Sequence, residues 1–464
     1  MEPYDLVVIG SGPAGRRAAV QAAKLGKSVL VVEGRTRVGG VSVHTGTIPS
    51  KTLRETVLNL SGWRERGFYG RSYRVKKDIT GNDLGARLGQ TLHHEVDVLE
   101  HQFQRNGVRT LEGFARFVDP NRLIVTAPDS SELSIRAEKI LIAVGTVPHR
   151  PPEIDFTDPD IFDSDEVAEV PRVPRSLTVV GAGVIGIEYA TIFSALDVQV
   201  TVIEPRASFL DFIDREIIDE FVHQLRDRGV IFRLGAPVTA VAKEGGKVVT
   251  TMQDGRSVRA DMLLYCAGRM GATQGLCLDA CGLTTDSRGR LAVNPDTFQT
   301  DVPHIYAAGD VIGFPSLAST SMEQGRIAAC HAFGLPMPPA PAYFPYGIYA
   351  VPEISTVGMS EQEVKEKNIR YECGIARFRE TSRGHIMGLD HGLMKMIFSL
   401  KTRRLLGVHI IGEGATELIH IGQAVLNLKG TIDYFIENTF NYPTLAEAYK
   451  IAALDAWNRM PRAL

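Results

Sequence analysis

Residues 5–33 read DLVVIGSGPAGRRAAVQAAKLGKSVLVVE, and the order of the parts in this stretch decides the fold. Asp5–Ile9 is a short apolar run of the kind buried on both faces of a parallel sheet. It leads into Gly10-Ser11-Gly12-Pro13-Ala14-Gly15, then a helix-compatible stretch over Arg17–Leu25. A second apolar run, Ser28–Val32, ends at Glu33. Strand, glycine loop, helix, strand and terminal acid together make a dinucleotide-binding fingerprint. The first glycine permits the tight turn and the second lets backbone approach a pyrophosphate. The third allows close helix–strand packing, with the helix N-terminus facing the phosphates. Glu33 is then placed to accept hydrogen bonds from an adenosine ribose. A bare glycine motif is weak, but this setting makes it specific.

The same arrangement returns over residues 176–204. Ser176–Val180 reads as a strand, Gly181-Ala182-Gly183-Val184-Ile185-Gly186 as the loop, and the run to Ser194 as a helix. Val198–Ile203 follows and ends at Glu204, at the same interval from Gly181 as Glu33 from Gly10. Two fingerprints imply two dinucleotides, most economically one tightly held flavin and one exchangeable nicotinamide between which a hydride passes. Ile140–Thr146 and Leu263–Arg269 are a second repeated pattern, a strand followed by a small-residue turn at Gly145 and Gly268. The internal repeat is therefore on the scale of a domain. Thr300–Asp310 sets an acid, Asp310, directly after Gly309 at a strand end, where it is placed to bind ribitol hydroxyls.

Composition narrows the class further. The chain has 464 residues, enough for about three domains. Its 44% hydrophobic and 23% charged content is that of an ordinary globular protein. A net charge of −3 gives no footprint for nucleic acid. The short basic clusters at 74–77 and 401–404 read as solvated turns. No apolar run approaches the roughly 18 residues of a membrane span. The early start of the first strand leaves no room for a targeting peptide, so a cytoplasmic location is expected. Five cysteines are too few for a secreted disulfide scaffold. All five are expected to be buried small hydrophobes, and no metal site is expected.

A third stretch, residues 39–51, reads GGVSVHTGTIPSK and has the form of a loop entering a helix beside a cofactor. With both fingerprints, the Tyr-Ala-x-Gly-Asp motif at 306–310 and the C-terminal segment, it resembles the pyridine nucleotide-disulfide oxidoreductase flavoproteins. The resemblance covers essentially the whole chain. Within that family, Thr45–Glu55 and Phe440–Thr444 are most similar to the soluble, Si-specific NAD(P) transhydrogenases. The resemblance implies an α/β fold with two Rossmann-like domains and a C-terminal α+β dimerisation domain. An FAD domain over 1–150 would be completed by 275–340, with an NAD(P) domain over 151–274 between them. An interface domain over 345–464 would follow a proline-rich linker, Pro336–Pro345, and pair two subunits as a homodimer. Gly40 and Thr45 join the glycines, Glu33 and Asp310 as expected cofactor-binding residues.

The departures from the family pattern concern sulfur. Dithiol members hold a reducible cysteine pair where this chain has Ser42 and Thr47. They also bring a histidine from the partner subunit to the position of Tyr442, ahead of a glutamate matching Glu447. The resemblance thus implies that disulfide chemistry is gone, with Thr47 a redox-inert filler facing the flavin. His44 is read as an exposed loop residue. Lys51 and Glu188 match a lysine–glutamate pair beside the flavin and the nicotinamide, and a buried ammonium needs such a partner.

The function this implies is hydride transfer from NAD(H) or NADP(H) to FAD and on to a second pyridine nucleotide. Glu204 favours NAD(H), since an acid repels the 2′-phosphate of NADP(H), unless Arg206 turns inward to offset it. The alternatives are an NAD(P)H oxidase or diaphorase serving oxygen, a quinone or a dye, and a non-catalytic flavin- and NAD-binding sensor.

Overall fold

The strand Tyr4–Ile9 lies at the centre of a seven-stranded sheet, between Val29–Glu33 and the long strand Glu132–Ile142. This computed structural model describes residues 3–70, 72–170, 172–336 and 343–460. The continuous apolar sequence of the central strand has a direct cause. Val7 and Ile9 enter one core with Leu30, Ile140 and Ile142, while Leu6 and Val8 enter another with Val29, Val31 and Leu141. Both faces are covered, so no polar alternation is possible. The parallel order is Arg109–Glu112, Val29–Glu33, Tyr4–Ile9, Glu132–Ile142. Ile305–Ala307, far along the chain, adds in parallel beside the end of Glu132–Ile142.

A second parallel sheet repeats the design in the order Ile231–Leu234, Gln199–Glu204, Ser176–Val180, Met262–Tyr265, Ile161–Asp163. A three-stranded antiparallel sheet, Val238–Ala260, lies next to it in sequence. The two nucleotide units are joined by a two-stranded ribbon of Thr146–Pro148 and Arg269–Gly271. Beyond residue 343 comes an antiparallel sheet of five strands, from Tyr346–Ile348 to Leu405–Ile411, with the helices Ala415–Asn427 and Glu447–Arg459. The proline-rich stretch expected as a linker falls largely outside the described residues, which omit 337–342.

Three local expectations change. Residues 40–44 are a short helix rather than loop, so Ser42 sits in one helical turn and Thr47 begins the next helix, Thr47–Leu60. His44 is half-buried, its Nε2 at 3.0 Å from Val38 O and 3.2 Å from Arg37 O, which staples the preceding loop. The cysteines are not uniformly buried. Cys281 and Cys330 are, but Cys277 is exposed, in a left-handed backbone (φ 54°) ahead of a single helical turn.

Candidate active site

One cleft of about 1190 Å³ runs past the ends of both parallel sheets and contains both fingerprint loops. At the first, Gly10 has φ 102°, and a Cβ on Gly15 would stand 1.9 Å from Gly10 O. Only glycine lets the helix start this close to the strand. A Cβ on Gly12 would meet nothing, which leaves its backbone open to a ligand. The second loop has the same geometry, with Gly181 at φ 102° and a Gly186 Cβ 2.0 Å from Gly181 O. Gly40, Thr45, Gly145, Gly183, Gly268 and Gly309 line the same cleft.

The two terminal acids are held alike. Glu33 accepts from Ser11 N at 2.9 Å and Arg35 N at 3.1 Å, and Glu204 from Ala182 N at 2.8 Å and Arg206 N at 3.2 Å. They differ in one partner. Ser11 Oγ adds a hydrogen bond to Glu33, whereas Arg206 Nε donates to Glu204 Oε1 at 2.7 Å. Burial acts to raise the Glu204 carboxyl. The Arg206 and Ala182 hydrogen bonds outweigh it and hold the group below its usual range. The acid expected to stand bare against a 2′-phosphate is therefore already paired.

Lys51 and Glu188 meet where the two halves join. Lys51 Nζ lies 2.6 Å from Glu188 Oε2, although the residues belong to different helices, Thr47–Leu60 and Val184–Ala195. A third element completes the site. Tyr349 N donates to Glu188 Oε1 at 2.8 Å, and the Lys51 ammonium is 4.8 Å from the Tyr349 ring centroid. With Glu188 4% exposed, a neutral partner there would leave a buried charge alone. Ser42 and Thr47 line the same wall, and Ser42 Oγ donates to Gly39 O at 3.1 Å. No pair of thiols stands there. Tyr442 and Glu447 do not line this cleft. Tyr442 is exposed with its hydroxyl on Ser382 Oγ at 2.6 Å, and Glu447 Oε2 is buried without a partner.

Three contributors escaped the sequence. Tyr349 carries no motif. Arg269 follows Gly268 and clasps the join, with Nη1 at 2.7 Å from Asp165 Oδ1 and Nη2 at 2.8 Å from Thr146 O. Cys266 also lines the cleft, where burial pushes its thiol up and keeps it protonated.

The residues present fit a flavin dinucleotide. Beyond the open backbone at Gly12, Thr45 Oγ1 is buried with no hydrogen-bond partner. The Asp310 carboxyl receives no hydrogen bond among the described residues, and burial raises it with only partial relief from Arg269. Both residues line the cleft, where a bound flavin nucleotide would supply the missing partners.

A raised acid in the folded state means that the unfolded chain ionises first. Asp310 therefore removes stability from the flavin-free protein as pH rises through the raised value, and that loss persists at neutrality. Asp310→Asn is expected to raise the melting temperature of flavin-free protein at neutral pH while lowering its FAD content. A flavin-free variant that melts lower than the parent at neutral pH, yet equals it in acid, would reverse this assignment.

The chain belongs to the pyridine nucleotide-disulphide oxidoreductase family, whose model matches residues 4–325, with the family's dimerisation domain matching 344–453. Among curated relatives it is 50% identical over 461 residues to a protein of Mycobacterium bovis (strain BCG / Pasteur 1173P2) named soluble pyridine nucleotide transhydrogenase. That match covers 99% of this chain and 98% of the relative. A Shigella flexneri protein of the same name is 42% identical over 471 residues, covering 98% of each. Among solved structures, the HOCl-induced flavoprotein disulfide reductase RclA from Escherichia coli aligns with a TM-score of 0.88 at 26% identity, covering 97% of this chain and 99% of that one. LpdA from Mycobacterium tuberculosis aligns with the same TM-score and identity, covering 97% of this chain and 99% of that one.

Proposed function

We propose that this protein is a flavin-dependent NAD(P) transhydrogenase, moving hydride between pyridine nucleotides without a dithiol. The observation that carries the reading is the Lys51–Glu188 pair at 2.6 Å between the two fingerprint halves, beside Ser42 and Thr47. Full-length similarity to proteins named soluble pyridine nucleotide transhydrogenase supports it. FAD, when bound, supplies the two-electron centre that takes hydride from one nucleotide and gives it to the next.

The residues of this chain do the rest. The turn from Gly10 to Gly15, Glu33, Gly40, Thr45, Gly145, Gly309 and Asp310 hold the flavin nucleotide. The turn from Gly181 to Gly186, Glu204 and Gly268 hold the exchangeable one. Lys51 places a positive charge where negative charge gathers during transfer, and Glu188 keeps that ammonium oriented. Thr47 fills the position beside it without redox chemistry. In this reading residues 1–150 and 275–340 form the flavin domain, 151–274 the nicotinamide domain and 345–464 the interface of a homodimer. Tyr442 and Glu447, which lie outside the cleft of their own chain, then serve the other subunit's cleft. No helix among the described residues is long and apolar enough to cross a membrane. We place the enzyme in the cytoplasm.

The test is anaerobic. NADH should pass its hydride to an NADP⁺ analogue at a rate that scales with bound flavin. Titration should bleach the flavin at about one NADH per FAD, because the cofactor alone carries the redox chemistry. No long-wavelength thiolate band should appear, and Cys266 has no partner thiol in the cleft with which to store electrons. Oxygen consumption without transfer between nucleotides would turn the assignment to an oxidase.

A further inference from the structure

The two fingerprints act as controls for each other, and one difference between them is informative. In both copies the terminal acid takes two backbone amides, and its own carbonyl is pinned from the neighbouring loop. Gly113 N donates to Glu33 O at 2.8 Å and Ala236 N to Glu204 O at 3.0 Å. Beyond that the copies part. Arg35 sends only its backbone amide to Glu33, and the extra hydrogen bond comes from the Ser11 hydroxyl. At the second site position 182 is alanine and has no hydroxyl. The guanidinium of Arg206 supplies the missing bond, through Nε alone.

Arg206 is held where it can do this. Its carbonyl accepts Gly235 N at 2.8 Å, so the main chain is fixed at both Glu204 and Arg206. The side chain beyond is 57% exposed, while Glu204 is 4% exposed. Both residues line the cleft. With Nε spent on the carboxylate, the two terminal amino groups of Arg206 make no hydrogen bond or ion pair among the described residues, although Asp211 lies near enough to act on the charge, and they face the cleft or solvent. A guanidinium in that state presents the fork that recognises phosphate in bidentate fashion.

We infer that Glu204 and Arg206 form a closing clasp that lets one site accept both NAD(H) and NADP(H). The inference rests on the second fingerprint being the nicotinamide half-site. Closed, the clasp is locally neutral, and the outer amino groups of Arg206 receive a 2′-phosphate. Opened, Arg206 swings into solvent, and Glu204, still held by Ala182 N and Arg206 N, accepts the ribose hydroxyls of NAD(H). Opening leaves Glu204 buried, but it keeps the amides of Ala182 and Arg206, and the ribose hydroxyls of NAD(H) take the place of the guanidinium. Two ligands that differ by a doubly charged group are thus served by one side-chain rotation. Glu33, with no guanidinium on it, offers no such choice.

The test uses the flavin-loaded protein and two fragments, 5′-AMP and adenosine 2′,5′-bisphosphate, with calorimetry reading affinity. The parent should bind both. Arg206→Ala should weaken the bisphosphate by about 10- to 100-fold, the worth of charge-assisted bonds to phosphate, and leave 5′-AMP within about threefold. Glu204→Ala should do the reverse, weakening 5′-AMP and leaving the bisphosphate unchanged or tighter. Arg206→Lys should retain an intermediate preference, since a lysine keeps charge without the fork. Equal losses for the two fragments in Arg206→Ala, or no loss, would overturn the clasp. If the fragments respond as expected but no hydride passes between nucleotides, the clasp stands and the transhydrogenase reading falls.

Discussion

Lys51→Met is expected to slow reduction of the bound flavin by NADH about 100-fold or more, the usual loss when one preorganised electrostatic group is removed from a reacting centre. FAD content and dimer assembly should be retained. The ammonium lies 2.6 Å from Glu188 Oε2 and 4.8 Å from the Tyr349 ring centroid, and among the described residues its hydrogen bonds go to Glu188 and Ser50. The flavin nucleotide is assigned to other residues, so removal of the ammonium should act mainly on the rate and leave most of the flavin bound. The complication is Glu188, which is buried and would lose its cation. It keeps the hydrogen bond from Tyr349 N, so the local backbone has a partner in the variant. The double variant Lys51→Met/Glu188→Gln removes the orphaned charge. If it regains stability but stays slow, the defect lies in transfer. Stopped-flow absorbance gives the answer, and parental reduction rates in a folded, flavin-loaded variant would take Lys51 out of the mechanism.

Gly15→Ala and Gly186→Ala should separate the two nucleotide sites. In each case the new methyl would stand about 2 Å from the carbonyl oxygen of the first glycine in its loop, at 1.9 and 2.0 Å. Both colliding atoms belong to main chain or Cβ, so no rotamer relieves the overlap, and the helix must shift from its strand. Overpacking of this kind costs about 1–3 kcal/mol, equivalent to a ten- to hundredfold loss in affinity for a ligand that needs the undistorted turn. Gly15→Ala should emerge largely colourless. Gly186→Ala should remain yellow, with flavin that NADH reduces only at concentrations tenfold or more above those the parent needs. Absorbance at purification and an NADH titration distinguish them. If Gly186→Ala lost flavin and Gly15→Ala kept it, the assignment of the two fingerprints would be exchanged.

The legible part of this molecule was the part written in local order. Strands such as Tyr4–Ile9 and Ser176–Val180 are covered on both faces, and that leaves Leu-Val-Val-Ile in the first and an apolar run broken only by the buried Thr178 in the second. Gly15 and Gly186 stand where a methyl collides with main chain, so their spacing is forced and can be read directly. Ser42 and Thr47 show the loss of sulfur as plainly in sequence as in space.

What needed the tertiary structure was every contact set by chain return or by a rotamer. Glu188 meets Lys51 across 137 residues and takes its second partner, Tyr349 N, from yet another segment. No periodicity encodes such meetings, because they depend on how whole sheets dock. That Cys277 is exposed while Cys266, just after a strand end, lines the cleft was set by the path of the folded chain. Whether Arg206 turns its guanidinium onto Glu204 is a choice of side-chain torsions that residue order does not specify. The sequence by itself determined two dinucleotide sites and the absence of a dithiol. Packing decided which side chains from distant segments share the cleft, because a site between domains exists only once those domains are pressed together.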